Sequence, residues 1–186
     1  MNVVTTLSSS WLKRQALATL ALFAIAGWFY YDGYVAYPEQ TRRFDAWEQW
    51  EKAGKTTEER AALASESGWK PEKPEKRFSN AYLKGQIWLG HLMLLCGVGS
   101  GTWLILSRKQ KLTSDDEAFI AINGQRIAYS AVNSIDRTKW EHKGIAYAMC
   151  EINGKKTRIT LDDYKFIGAE DIVKRAEQEI ASRSGV

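Results

Sequence analysis

A chain of 186 residues with a formal charge of +4 has room for about one ordinary domain plus membrane segments. Charged residues make up 26%, so most of the chain belongs in water. The modest charge and the lack of a basic tract interleaved with aromatics give no support to nucleic-acid binding. No phosphate loop, zinc signature or nucleophile motif points to catalysis, a cofactor or a small-molecule substrate.

Residues 1–14 read as a tail that brings Trp11, Lys13 and Arg14 up to the first apolar run, "QALATLALFAIAGWFYY", Gln15 to Tyr31. A helix rises about 1.5 Å per residue, so with its flanks this run can cross a hydrocarbon core of roughly 30 Å. We assign residues 15–34 to a first transmembrane helix. Ala24-Ile25-Ala26 fits the small-x-small pattern of a leader cleavage site. Apolar and aromatic residues nevertheless continue to Tyr31, which favours a retained helix.

Residues 35–85 form an extracytoplasmic, helical segment in this reading. Pro38 suits the first turn of a helix, and Phe44, Trp47 and Trp50 follow at three- and four-residue spacing. Gly54 is a plausible stop. Thr56 and Glu59 have capping-box spacing, so a second short helix is expected. The prolines of "WKPEKPEKRFSN" then predict an extended strap. So small a segment cannot bury a large core of its own. Phe44, Trp47, Trp50 and Trp69 must therefore cover one another, lie on the bilayer, or serve as interface aromatics for a partner.

The second run, "QIWLGHLMLLCGVGSGTWLILS", residues 86–107, is a second span flanked by Tyr82, Trp88 and Trp103. Gly90, Gly97 and Gly101 fall within about 20° of one line at 100° per residue, a surface that lets another backbone approach closely. Ala18, Ala21 and Ala24 offer a looser small-residue face on the first helix. These residues predict tight pairing of the two spans, or of one span with another subunit or copy; the alternative is that membrane helices simply tolerate glycine. His91 lies about 100° from the stripe and about 8 Å into the helix. An intramembrane histidine calls for a functional hypothesis. The only other histidine is His142, so a single chain cannot supply a bis-histidine haem site. A hydrogen bond to a neighbour is the favoured role for His91, and haem ligation in an assembly the lesser one.

Lys13 and Arg14 precede the first run, and Arg108, Lys109 and Lys111 follow the second. The positive-inside rule puts both termini in the cytoplasm, even though residues 32–85 carry ten basic and ten acidic residues, because Lys84 is the only loop cation near a helix end. Cys96 and Cys150, with no CxxC pattern, read as inert thiols.

After a linker, residues 108–117, the pattern changes to period two. Asn123-Gly124 and Asn153-Gly154 each separate two short β-rich runs, a hairpin signal. "VNSIDRTKW" reads as a strand, and Thr157, Ile159 and Leu161 alternate with Lys156, Arg158 and Thr160 as in a half-buried antiparallel strand. A closing helix begins near Gly168, with Ala169, Ile172, Val173, Ala176 and Ile180 on one face. The fold class is α+β: a two-helix transmembrane hairpin with a C-terminal sheet or partial barrel, residues 118–186, closed by one helix. Arg137, Lys139, Lys143, Lys155, Lys156 and Arg158 could form a basic rim facing anionic lipid. From Arg108 onward, however, fourteen basic residues face twelve acidic ones, which favours a solvated surface.

"SIDRTKWEHKGIAY", the second hairpin, "LDDYKFIGAEDIV" and the final helix come in an order that resembles the bacterial pleckstrin-homology-like domains, over roughly the last 65 residues. A full domain of that type has seven strands, of which five or six can be counted here. With "DGYVAYP" after the first run, the whole chain also looks like two-span bacterial inner-membrane proteins. The resemblance implies an architecture and a location, and no activity. A non-enzymatic membrane subunit or scaffold is therefore expected, packing by its small-residue face into a larger complex. The alternative is a membrane-surface sensor whose C-terminal domain binds lipid headgroups or a peptide. A haem-binding redox subunit using His91 is the remaining possibility.

Overall fold

The computed structural model describes residues 3–152 and 154–185 and divides into two compact units, Met1–Leu17 with Gly101–Val186 and Ala18–Ser100. The fold is mixed α+β, with long helices and small antiparallel sheets.

In chain order, β1 (Val3–Val4) and β2 (Thr6–Leu7) precede α1 (Ser9–Tyr31). A π-helical turn, Asp32–Ala36, carries α1 without a break into α2 (Tyr37–Lys52). Pro38 falls in the first turn of α2, but the helix runs through it from α1, so the free N-terminus that its missing N–H would suit is not formed. The widened turn before it displaces the α ladder where the proline ring would otherwise crowd the preceding carbonyls. Next come α3 (Thr57–Glu66) and α4 (Asn80–Ser107). α1 and α4 are both long and apolar enough to cross a membrane.

The first unit is built around strands β3 (Thr113–Ser114), β4 (Ala118–Ile120), β5 (Arg126–Ala128), β6 (Val132–Lys139), β7 (Ile145–Ile152), β8 (Lys155–Asp162) and β9 (Phe166–Ile167). A single helical turn, α5 (Trp140–Lys143), joins β6 to β7, and α6 (Ala169–Ser184) closes the chain. The sheets have strand orders β1-β3-β4-β5, β2-β9 and β6-β7-β8. Gly124, at φ 81°, makes the turn between β4 and β5. Gly154, at φ 73°, does the same between β7 and β8; its expected turn partner, Asn153, lies outside the described residues. Period-two burial is clear in β7, where Ala146, Ala148 and Cys150 point inward, and in β8, where Ile159 and Leu161 do. These meet Ile172, Val173 and Ala176 of α6 in one core with Phe119 and Phe166. Arg137 clamps β6 to α6 with paired hydrogen bonds of 2.7 and 2.9 Å to Glu177.

Two boundaries read from the sequence change. The first residues are not a free tail: Val3 and Val4 pair with Ser114 and Thr113, and Thr6 and Leu7 pair with Ile167 and Phe166. Nor is 108–117 only a linker, since it contributes β3 and the fully buried Leu112. Runs of two residues are too short to show a period, so both escaped the pattern argument.

The second unit's helical segment closes on itself. Thr56 and Glu59 form the complete capping box, with Oγ1 accepting the Glu59 N–H at 3.3 Å and Glu59 Oε2 accepting the Thr56 N–H at 2.7 Å. Trp47, 4% exposed, stands 6.0 Å from Trp50, which stands 6.3 Å from Trp69. The strap runs against α2: Thr41 Oγ1 accepts the Phe78 N–H, Arg77 pairs with Asp45 at 2.7 Å, and Lys73 pairs with Glu51 at 3.0 Å.

Thr5 Oγ1 donates to the Leu112 carbonyl at 2.6 Å and accepts the Leu112 N–H at 3.2 Å, in a buried site. Replacing Thr5 by the isosteric Val leaves the buried Leu112 N–H without its partner, while the Leu112 carbonyl still accepts the Thr5 N–H at 3.1 Å. We expect a loss of about 1–3 kcal/mol in urea unfolding of the purified chain, with Thr5→Ser close to wild type. Equal stability of the Val variant would remove this tie.

Candidate functional site

The small-residue stripe of α4 is occupied within the chain. Gly90 and Gly97 are buried. A Cβ at Gly90 would come 2.8 Å from the Tyr30 ring, and one at Gly97 would come 3.2 Å from the Phe23 ring. Thr19 and Ser100 share a hydroxyl hydrogen bond of 2.8 Å, and a Cβ at Gly33 would come 2.8 Å from Ile87. Residue numbers fall along α1 as they rise along α4. Glycine is needed here because an aromatic ring from α1 fills the space a side chain would take. Gly101 is half-buried at the end of the stripe.

The alanines are a correction. Ala18, Ala21 and Ala24 are exposed, whereas Thr19, Ala26 and Gly33 are buried. A helix that is apolar all round does not announce which face it buries, so the small-residue pattern of α1 pointed the wrong way.

His91 finds its partner on α1: Tyr30 Oη and His91 Nδ1 lie 2.6 Å apart, and Trp88 stands edge-on to the imidazole at 5.9 Å. A hydrogen-bonded phenol satisfies one ring nitrogen at the point where the helix leaves its apolar run. Among the described residues no cluster of three or more His, Cys, Asp or Glu is placed to hold a metal. Cys96 is exposed on α4. Cys150 sits in the core, where burial pushes its thiol up, away from reactive thiolate.

Within the second unit Trp47, Trp50 and Trp69 pack against one another, and Lys73 stands over Phe44 at 5.2 Å. The six basic residues do not form a single rim. Arg137 is tied to Glu177 and stacks on Trp140. Lys139 and Arg158 lie over Tyr147 at 5.5 and 4.4 Å. Lys155 and Lys156 are exposed at the β7–β8 turn. Lys143 lines a groove.

That groove, of about 820 Å³, is lined by Ser8, Ser10 and Arg14 at the start of α1, by residues 141–145, and by Asp162, Asp163 and Tyr164. Its floor is fixed where the Asp163 N–H donates to the Gly144 carbonyl at 2.9 Å. Gly144, at φ 64°, brings its backbone so close that a Cβ would lie 3.3 Å from the Tyr164 nitrogen. Arg14 donates to the Tyr164 hydroxyl and lies over its ring at 5.3 Å. Asp163 Oδ1 accepts the N–H groups of Gly168 and Glu170 at 3.1 Å, fixing the entry to α6. Burial pushes the Asp162 carboxyl up from its ordinary value.

Next to the groove, Lys165 is held in an aromatic box that sequence reading missed. Its ammonium lies 4.8 Å from the Trp11 ring, 5.3 Å from Trp103 and 5.2 Å from Phe166, and donates to Gln110 Oε1 at 2.8 Å. Trp11 and Trp103 themselves pack edge-to-face at 5.4 Å. In "DDYKF" a lysine looks like a loop charge, and nothing local marks it as boxed.

No protein-family model, curated protein or solved structure matches this chain.

Gly90→Ala should cost about 1–3 kcal/mol by overpacking against Tyr30, while Gly99→Ala, with open space around its Cβ, should not. Thermal unfolding in detergent compares the two, and equal midpoints would contradict the packing described. Burial lowers the pKa of Lys165 below the ordinary 10.5. The folded chain gives up this proton first as pH rises, so the unfolded state holds more protons up to pH 10.5 and stability rises with pH in that window. Lys165→Met should abolish this rise in urea midpoints measured from neutral pH to about 10. A persisting rise would assign it to another group.

Proposed function

We propose that this chain is a non-enzymatic integral membrane subunit or scaffold of a bacterial inner membrane. α1 and α4 form a transmembrane hairpin, both termini are cytoplasmic, and the soluble parts dock partners on either side. The observation that carries this reading is the exposure of large apolar side chains along both helices. Leu17 is 69% exposed, Leu20 64%, Trp88 71% and Leu95 70%. Water-exposed leucines in such numbers would be a liability, whereas lipid covers them at no cost. Support for the topology comes from residues near the two ends of the chain, which share one unit, and from the cations Lys13, Arg14, Arg108 and Lys109 beside the ends of the apolar runs.

The small-residue stripe, turned toward α1, closes the hairpin and leaves the outer faces of α1 and α4 for lipid, a second copy or other membrane subunits. The resemblance of the last residues to pleckstrin-homology-like domains, and the groove lined by Arg14 and Lys143, favour a second reading in which this part of the chain senses the membrane surface. Redox use of His91 has the weaker support, since Tyr30 gives the imidazole a structural partner.

Purified from native membranes in mild detergent, the protein should carry partners in fixed stoichiometry, identified by mass spectrometry, and should remain in the membrane pellet after carbonate washing. A lone monomer would contradict the subunit reading, and release by carbonate would contradict the spans.

A further inference from the structure

The groove at the start of α1 has an unusual composition for a surface hollow. Arg14 and Lys143 line one cavity of about 820 Å³ together with Glu141, Asp162 and Asp163. Among the described residues, Lys143 and Glu141 have no ion pair, and the guanidinium of Arg14 is turned onto the phenol of Tyr164. A plain anion would meet three carboxylates here, and a plain cation would meet two basic side chains. A ligand carrying both charges a few ångströms apart satisfies both sets.

Position narrows the ligand further. Ser10 and Arg14 lie within five residues of Gln15, where the apolar run of α1 begins. At 1.5 Å per residue the groove opens within about 8 Å of that start, the depth of the lipid headgroups if α1 spans the membrane. At that depth headgroups are concentrated, so a modest affinity is enough to keep the groove filled.

We propose that this groove binds the head of a zwitterionic glycerophospholipid of the phosphoethanolamine class. Arg14 and Lys143 hold the phosphate, and Glu141 and Asp162 accept from the ammonium. Asp163 keeps its role at the entry to α6, because Oδ1 already accepts two backbone N–H groups. The raised Asp162 carboxyl fits this arrangement, since a half-buried carboxylate gains most from a bound cation. A primary ammonium donates hydrogen bonds that a trimethylammonium cannot, so the groove separates ethanolamine from choline heads. The proposal rests on the two-span membrane reading.

The test is native mass spectrometry of the full chain released from detergent with equimolar phosphatidylethanolamine, phosphatidylcholine and phosphatidylglycerol. A parallel arm adds free phosphoethanolamine. Phosphatidylethanolamine should be retained about tenfold over the other two, the ratio that 1.4 kcal/mol of charge-assisted hydrogen bonding gives. The Arg14→Gln/Lys143→Gln double variant should lose this preference. The Glu141→Gln/Asp162→Asn variant should turn it toward phosphatidylglycerol. Arg14→Lys, which keeps the charge, should retain it if the double variant fails to fold.

Equal retention of the three lipids by the wild-type chain would overturn the proposal, as would a preference that neither double variant moves. Displacement of the lipid by millimolar phosphoethanolamine would overturn the lipid assignment in favour of a soluble ligand. A chain that needs detergent but shows no selectivity sinks the groove alone. A chain that stays soluble without detergent sinks the membrane reading with it.

Discussion

The rest of the structure depends on the way the first few residues are tied into the second half of the chain. Thr5 exchanges hydrogen bonds with Leu112 through its backbone and hydroxyl, and the Ser8 N–H donates to the Lys165 carbonyl at 2.9 Å. Lys165 then sits against Trp11, just before the first apolar run, and against Trp103, near the end of the second. Each tie is small, and charge over aromatic rings contributes about 0.5–2 kcal/mol. Together they fix where α1 begins and α4 ends in one compact unit. A chain that leaves this unit at Leu17 and returns at Gly101 can cross a bilayer only an even number of times, which agrees with two apolar helices.

A membrane helix pair has no hydrophobic drive to associate, because lipid tails are as apolar as leucine. Shape must do the work instead. Gly90 and Gly97 open pockets for the Tyr30 and Phe23 rings, and two polar contacts, Thr19 with Ser100 and Tyr30 with His91, add direction. The remaining helix surface is left apolar and uncovered. This division accounts for the run "GHLMLLCGVGSGTW", in which the buried glycines form the packing face and His91 reaches a phenol on the neighbouring helix.

Much of this was legible in the sequence where a local rule had a local cause. The capping box at Thr56, the glycine turns and the buried face of α6 all follow from chemistry within a few residues. Period two marked β8, which is long enough to alternate, and β-rich runs marked β6 and β7. What stayed hidden depends on distant partners. β1 and β2 are strands only because β3 and β9 receive them. The buried face of α1 is set by what α4 presents, so Ala18, Ala21 and Ala24 looked suitable and lie outside it. The groove joins segments more than 120 positions apart in sequence, Ser8 to Arg14 with 141–145. Its mixed charge therefore appears in no single stretch.

The proposed topology puts residues near both ends on the inner face, with the loop between α1 and α4 outside. In a chain with Cys96 and Cys150 replaced by alanine, a single cysteine is introduced at Glu58 or at Ser184, and intact cells are treated with a membrane-impermeant thiol reagent. Labelling at position 58 in intact cells, with labelling at 184 only after lysis, is the expected result. Labelling at 184 in intact cells would contradict it.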